Sequence, residues 1–128
     1  NDAHTVKTFL EAESFDGPSL IIAYCPCIEH GYDLEGMLRH QKMAVKSGYW
    51  PLFRYNPSLA DQGKSPLQLD SRTPELPVQD YLETENRFRQ VARSNPQLAQ
   101  KLAEKLQKQI DHRWKFLQEL AEKPGRAI

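Results

Sequence analysis

Leu20-Ile21-Ile22-Ala23-Tyr24 is apolar at every successive position, between the turn signal Asp16-Gly17-Pro18 and the cluster Cys25-Pro26-Cys27. A strand wetted on one face alternates, so an unbroken run predicts a strand over 19–25 covered on both faces, as in a mostly parallel sheet flanked by helices. That places the chain in the α/β class. Upstream, Val6, Phe9, Leu10 and Glu13 keep helical spacing across 2–14, with Asp2 or Thr5 available as N-cap. Downstream, Leu34, Met37, Leu38, Gln41 and Val45 predict a second helix over 33–46 that stops at Ser47-Gly48. The amino-terminal third therefore reads as helix, strand, helix.

From Tyr49 to Pro77 the character changes. The aromatic run Tyr49-Trp50-Pro51-Leu52-Phe53-Arg54-Tyr55 leads into a stretch broken by Pro57, Pro66, Pro74 and Pro77. Extended chain with short strands, wrapping a larger body, is the expectation. Beyond it, Val78, Tyr81, Leu82, Phe88 and Val91 mark one helix, and Leu98, Leu102, Leu106, Ile110, Trp114, Leu117 and Leu120 mark another, separated by Ser94-Asn95-Pro96. The charges along this helical pair, among them Glu83, Glu85, Arg87, Arg89, Lys101, Glu104, Lys105 and Lys108, alternate in sign and read as solvated faces. The tail from Lys123 to Ile128 is expected to fray.

With 128 residues the chain suits one compact domain, and 17 basic against 17 acidic residues leave no net field to gather nucleic acid or an anionic membrane. No apolar stretch approaches the roughly 20 residues of a membrane span, and Asn1-Asp2-Ala3-His4 lacks the start of a signal peptide, so the cytoplasm is the default. The chain opens without a methionine, inside a helix-forming stretch, which predicts a piece of something longer.

Cys25 and Cys27 are the two cysteines. One intervening proline makes too strained a loop for a disulfide, so they read as reduced thiols or metal ligands, or as two small buried hydrophobes. Four cysteines complete an iron–sulfur site, and the chain alone has two. His30 offers a donor near a cluster sulfur or a proton relay, against the plainer reading of a loop histidine, and Gly31 allows a turn. A zinc site from Cys25, Cys27 and His30 lacks an obvious fourth ligand. Trp50, Phe53, Tyr55 and Trp114 fit a core or an interface better than a stacking platform, given no basic groove.

The ordered strings Asn1-Asp2-Ala3-His4-Thr5-Val6-Lys7, Gly17-Pro18-Ser19-Leu20-Ile21-Ile22-Ala23-Tyr24, Cys27-Ile28-Glu29-His30-Gly31, Ala44-Val45-Lys46-Ser47-Gly48-Tyr49-Trp50-Pro51-Leu52-Phe53-Arg54-Tyr55-Asn56-Pro57 and Pro66-Leu67-Gln68-Leu69-Asp70-Ser71 resemble the carboxy-terminal end of pyruvate:ferredoxin (flavodoxin) oxidoreductases. The resemblance implies large dimers that use thiamine diphosphate, Mg2+ and [4Fe–4S] clusters to decarboxylate pyruvate oxidatively. They give the acetyl group to coenzyme A and the electrons to ferredoxin or flavodoxin, a pyruvate synthase-type reaction. It implies that residues 1–57 end a thiamine-diphosphate-binding α/β domain, 58–77 form an extended linker or wrap, 78–122 a helical pair and 123–128 a frayed tail. The family's Cys-Ile-x-His-Gly motif falls on Cys27, which would supply the fourth ligand of the thiamine-proximal cluster, with Cys25, His30 and Gly31 beside it. Cys25 departs from the family's usual small residue. The remainder of the polypeptide would carry the other cofactor sites, leaving this segment inactive alone. The rival expectation is a freestanding interaction module whose thiols are merely buried.

Overall fold

The computed structural model describes residues 2–25 and 27–123. Helix α1, Asp2–Ser14, opens with an acidic residue in its first turn and closes where Gly17 N–H bonds back to the Phe15 carbonyl at 2.9 Å. The Ser19 hydroxyl then donates to the Ala12 carbonyl, folding the chain back on the helix. Val6, Phe9 and Leu10 line up as the spacing predicts, yet they stay exposed, Phe9 at 59 %.

The expected strand does not form. Residues 18–25 carry no ladder, and Leu20 is 84 % exposed. A doubly covered strand needs neighbours on both edges to satisfy its backbone, and the described residues offer none beside it. The architecture is mixed: mostly helix, with one small sheet. The helix-strand-helix reading of the first third is corrected to helix, irregular segment, helix.

A single 3-10 turn, Ile28–His30, follows, then a second, Leu34–Gly36, capped by the Asp33 carboxylate, which accepts from Glu35 N–H at 3.0 Å. This runs into α2, Met37–Lys46, which buries His40 and Ala44. Gly48, at φ 71°, turns the chain out of α2, and a Cβ there would meet Ile110 and Pro74 side chains at 2.8 Å. Arg113 donates to the Gly48 and Tyr49 carbonyls at 2.7 and 2.9 Å, tying this turn to the last helix. Burial lowers the Arg113 pKa, which nearby Tyr49 partly offsets.

Strands β1, Phe53–Tyr55, and β2, Leu67–Leu69, pair antiparallel in the register Phe53 with Leu69 and Tyr55 with Leu67. Between them Asn56 caps a 3-10 segment, Pro57–Gln62, by accepting from Ser58 N–H at 3.1 Å, and Gly63 ends it. The short strands expected of this stretch are present. The carboxy-terminal region holds α3 (Val78–Leu82), α4 (Asn86–Ser94) and α5 (Pro96–Glu122). The helix expected across 78–91 is thus two, because Glu83, Thr84 and Glu85 turn before Asn86 restarts it. The break at Asn95-Pro96 falls where the sequence places it: Asn95 caps α5 by accepting from Leu98 N–H at 3.0 Å, and Pro96 takes its first turn.

The core gathers Ala44, Leu67, Val78, Tyr81, Ile110, Trp114 and Leu117. Fully burying a residue such as Ile110 stabilises by about 1.5–3 kcal/mol. Only the second half of α5 shares in this, for Leu98 and Leu102 remain exposed. No helix among the described residues is long and apolar enough to cross a membrane. The tail expected to fray lies, after Lys123, outside the described residues.

Candidate functional site around the Cys27 turn

Cys27 leads the Ile28–His30 turn with extended backbone, φ −145° and ψ 140°. Its carbonyl accepts from His30 N–H at 3.0 Å, and Gly31 N–H closes the turn on the Ile28 carbonyl at 2.9 Å. Gly31 exits at φ 68°, ψ 42°, a left-handed conformation that favours glycine. Space demands it as well, since a Cβ there would lie 2.4 Å from Asn86 Cβ. Cys25 and Cys27 are free and exposed, which overturns the reading of two buried hydrophobes.

His30 is mostly covered. Its ring stacks on Tyr24 at 5.7 Å and lies 6.1 Å from Tyr32. Its Nδ1, buried and without a hydrogen-bond partner, sits 3.8 Å from Glu85 Oε1. Glu85 is the centre of the arrangement and is fully buried, which corrects its assignment to a solvated helix face. Its Oε1 accepts from Tyr81 Oη at 2.6 Å and faces His40 Nε2 at 2.9 Å, while Oε2 pairs with Arg87 Nε. The other His40 nitrogen lies 2.9 Å from Thr84 Oγ1, whose hydroxyl donates to the Tyr81 carbonyl. Tyr24 Oη joins Tyr81 Oη at 2.8 Å and accepts from Arg87 at 3.2 Å.

An anion buried in this way persists because each oxygen is satisfied. Burial alone would push the Glu85 carboxyl up. The hydrogen bonds from Tyr81, Arg87 and His40, with the Arg87 charge, outweigh it and hold the group below the usual carboxylate range. The same burial and the bond to Glu85 drive the Tyr81 hydroxyl far up, and burial raises Tyr24 too, despite its bond to Tyr81. Both phenols are neutral donors here.

Rings extend the cluster. Tyr32 stacks on His40 at 3.9 Å, His40 on Tyr81 at 5.0 Å, and Trp50 on Tyr24 at 5.1 Å. Trp50 and the buried Trp114 are thus packing residues, whereas Phe53 and Tyr55 are exposed.

One atom each from His30, His40 and Glu85 lies within 4.8 Å of the others, a spacing that can hold a metal ion. The oxygens of Glu85 already take Tyr81, His40 and Arg87, and the guanidinium beside them opposes a second cation, so the set reads as a hydrogen-bonded polar core. For a [4Fe–4S] cluster the chain offers two exposed thiols, one of them, Cys27, leading a defined turn, which suits one ligand and cannot suit four.

Of the residues singled out in sequence, the structure brings His30 and Gly31 against the helical region and leaves Cys25 and Cys27 at its surface. Sequence reasoning missed His40 and Glu85. His40 had a signal: with Met37 and Ala44 it keeps the spacing of the inward stripe of α2.

No protein-family model matches the chain. It is 51% identical over 120 residues to the pyruvate-flavodoxin oxidoreductase of Trichormus variabilis, a match covering 94% of this chain and 10% of that protein. It is 44% identical over 117 residues to the pyruvate:ferredoxin oxidoreductase of Moorella thermoacetica, covering 91% and 10%. It is 42% identical over 127 residues to the mitochondrial pyruvate dehydrogenase [NADP(+)] of Euglena gracilis, covering 98% and 7%. The chain spans about a tenth of the length of the curated relatives it matches. Over nearly all of its own length, then, this chain is homologous to one segment of the pyruvate-flavodoxin and pyruvate:ferredoxin oxidoreductases.

Proposed function

We propose that the chain works as a carboxy-terminal segment of a pyruvate:ferredoxin or pyruvate-flavodoxin oxidoreductase, of the pyruvate synthase type, and that Cys27 gives one thiolate to a [4Fe–4S] cluster. The observation that carries this is a free, exposed Cys27 on a turn fixed by Gly31, within a segment homologous to those enzymes across 94% of its length. When bound, the cluster accepts and passes on single electrons. The chain's own part is to present sulfur at a fixed turn. The backbone N–H groups of His30 and Gly31 are already spent on carbonyls within that turn.

Thiamine diphosphate, Mg2+, pyruvate and coenzyme A bind elsewhere in the enzyme on this reading, the two-fold dimer is formed by the whole polypeptide, and the segment alone is inactive. The acceptor is not set here. Relatives named for flavodoxin, ferredoxin and NADP share this segment at 42–51% identity, so what it serves is common to all three, the oxidation of pyruvate.

The test is Cys27→Ala in the full-length enzyme, followed by iron analysis and electron paramagnetic resonance. Loss of one cluster, or its conversion to a three-iron form, with electron exit slowed more than pyruvate binding, is the expected result. Unchanged cluster spectra would sink the assignment.

The exposed face of Val6, Phe9 and Leu10 favours a second reading, an interaction module that docks a partner through apolar surface. Replacing both cysteines by serine would then leave partner binding intact.

A further inference from the structure

The Cys27 turn is gripped on both shoulders by residues from the carboxy-terminal helices. On the amino-terminal side stands Tyr24, whose hydroxyl bonds Tyr81 at 2.8 Å and receives Arg87 at 3.2 Å. On the other side stand His30, stacked on Tyr24, and Gly31, seated against Asn86 with no room for a Cβ. Glu85 ties these together: Tyr81, His40 and Arg87 all converge on its carboxylate, and the His30 ring faces it at 3.8 Å. A path of contacts therefore runs from a fully buried anion, through Arg87 and Tyr81 to Tyr24, through the Tyr24–His30 stack, and by the His30 N–H to the Cys27 carbonyl.

We propose that Glu85 is the positioning residue of the Cys27 turn, fixing the direction in which the thiolate is presented and hence the electronic character of whatever that thiolate ligates. The proposal rests on Cys27 being a cluster ligand. Its physical basis is that the groups that hold a ligand's orientation tune a metal centre alongside the ligand's identity. Glu85 needs no contact with the sulfur. It acts by removing the freedom of Tyr24 and His30, because none of the groups on its carboxylate can leave without stranding a buried charge.

The experiment compares the full-length, cluster-loaded wild-type enzyme with Glu85→Gln, Glu85→Ala, Cys27→Ala and, as a control at an ion pair with Arg54 that shares no partner with Glu85, Asp70→Asn. Redox titrations followed by electron paramagnetic resonance, iron release to a chelator, and hydrogen exchange at the Ile28–Gly31 amides are the readouts. In both Glu85 variants one cluster alone should change its midpoint potential and release iron roughly tenfold faster or more. The His30 and Gly31 amides should exchange about tenfold faster. The KM for pyruvate should hold while kcat falls, and Asp70→Asn should move none of these. Glu85→Gln keeps the shape of the site, so it remains informative if Glu85→Ala misfolds. Wild-type potentials and wild-type exchange in Glu85→Gln, alongside loss of a cluster in Cys27→Ala, would overturn the inference. If Cys27→Ala loses no cluster, the ligand assignment falls and takes the redox half of the inference with it. The exchange at 28–31 then decides by itself whether Glu85 holds the turn.

Discussion

Arg54 grips Asp70 with two hydrogen bonds, Nε to Oδ2 at 2.8 Å and an Nη to Oδ1 at 2.9 Å, and spends its remaining nitrogen on Glu11 of α1. One buried guanidinium thus staples the first helix to the small sheet, with Asn56 reaching Glu11 and His4 reaching Asp70. Lysine carries the same charge without the fork. Arg54→Lys should therefore cost about 1–3 kcal/mol. Hydrogen exchange across residues 2–14 would rise with it, and an unchanged exchange pattern there would rule the staple out.

Acid should undo the same staple. Burial pushes the Asp70 carboxyl up, but the Arg54 hydrogen bonds and charge outweigh this and hold it low. A depressed carboxylate stabilises fully above its unfolded value of about 4 and loses that contribution as pH falls through the folded value. Glu85 adds a second contribution of the same sign. Tyr81 has the opposite shift, so its contribution is full below about 10 and fades as pH rises beyond. Unfolding measured from pH 3 to 11 should show a plateau with two falling limbs, the acid limb shallower in Asp70→Asn and the alkaline one shallower in Tyr81→Phe.

Two glycines with nearly equal φ, Gly31 at 68° and Gly63 at 69°, should respond differently to alanine. Gly63 faces open space, so Gly63→Ala meets only the left-handed backbone penalty of about 1–2 kcal/mol. Gly31→Ala adds a clash with Asn86 and should displace the Cys27 turn as well. Thermal melts of the two variants rank the costs, and equal melts would remove the close approach as a constraint.

Both thiols are exposed, so in cluster-free protein a maleimide should label Cys25 and Cys27 alike. In cluster-loaded enzyme Cys25 should still label and Cys27 should not. Protection of Cys25 instead would move the ligand by two residues.

Much of the helical layout was legible, because α1, α2 and α5 advertise themselves by periodic apolar residues and by Gly48 and Asn95 at their ends. The strand over 19–25 misled for a physical reason: an unbroken apolar run reports that a segment is fit for a ladder, not that the ladder stands beside it. Glu85 misled because a charged residue in an alternating pattern looks solvated until a histidine from α2 and an arginine two positions on enclose it. Gly31 was seen as a turn, while its need for glycine rests on Asn86, which no local window contains.

Leu20, Ile21 and Ile22 present apolar side chains to solvent beside backbone that no ladder satisfies. Such a segment is a template on which another copy can lay itself down strand upon strand. Wherever it stays uncovered, solubility rather than folding becomes the limiting quantity. Raising the concentration should drive fibrous self-association, and Ile22→Lys should delay it without touching the core.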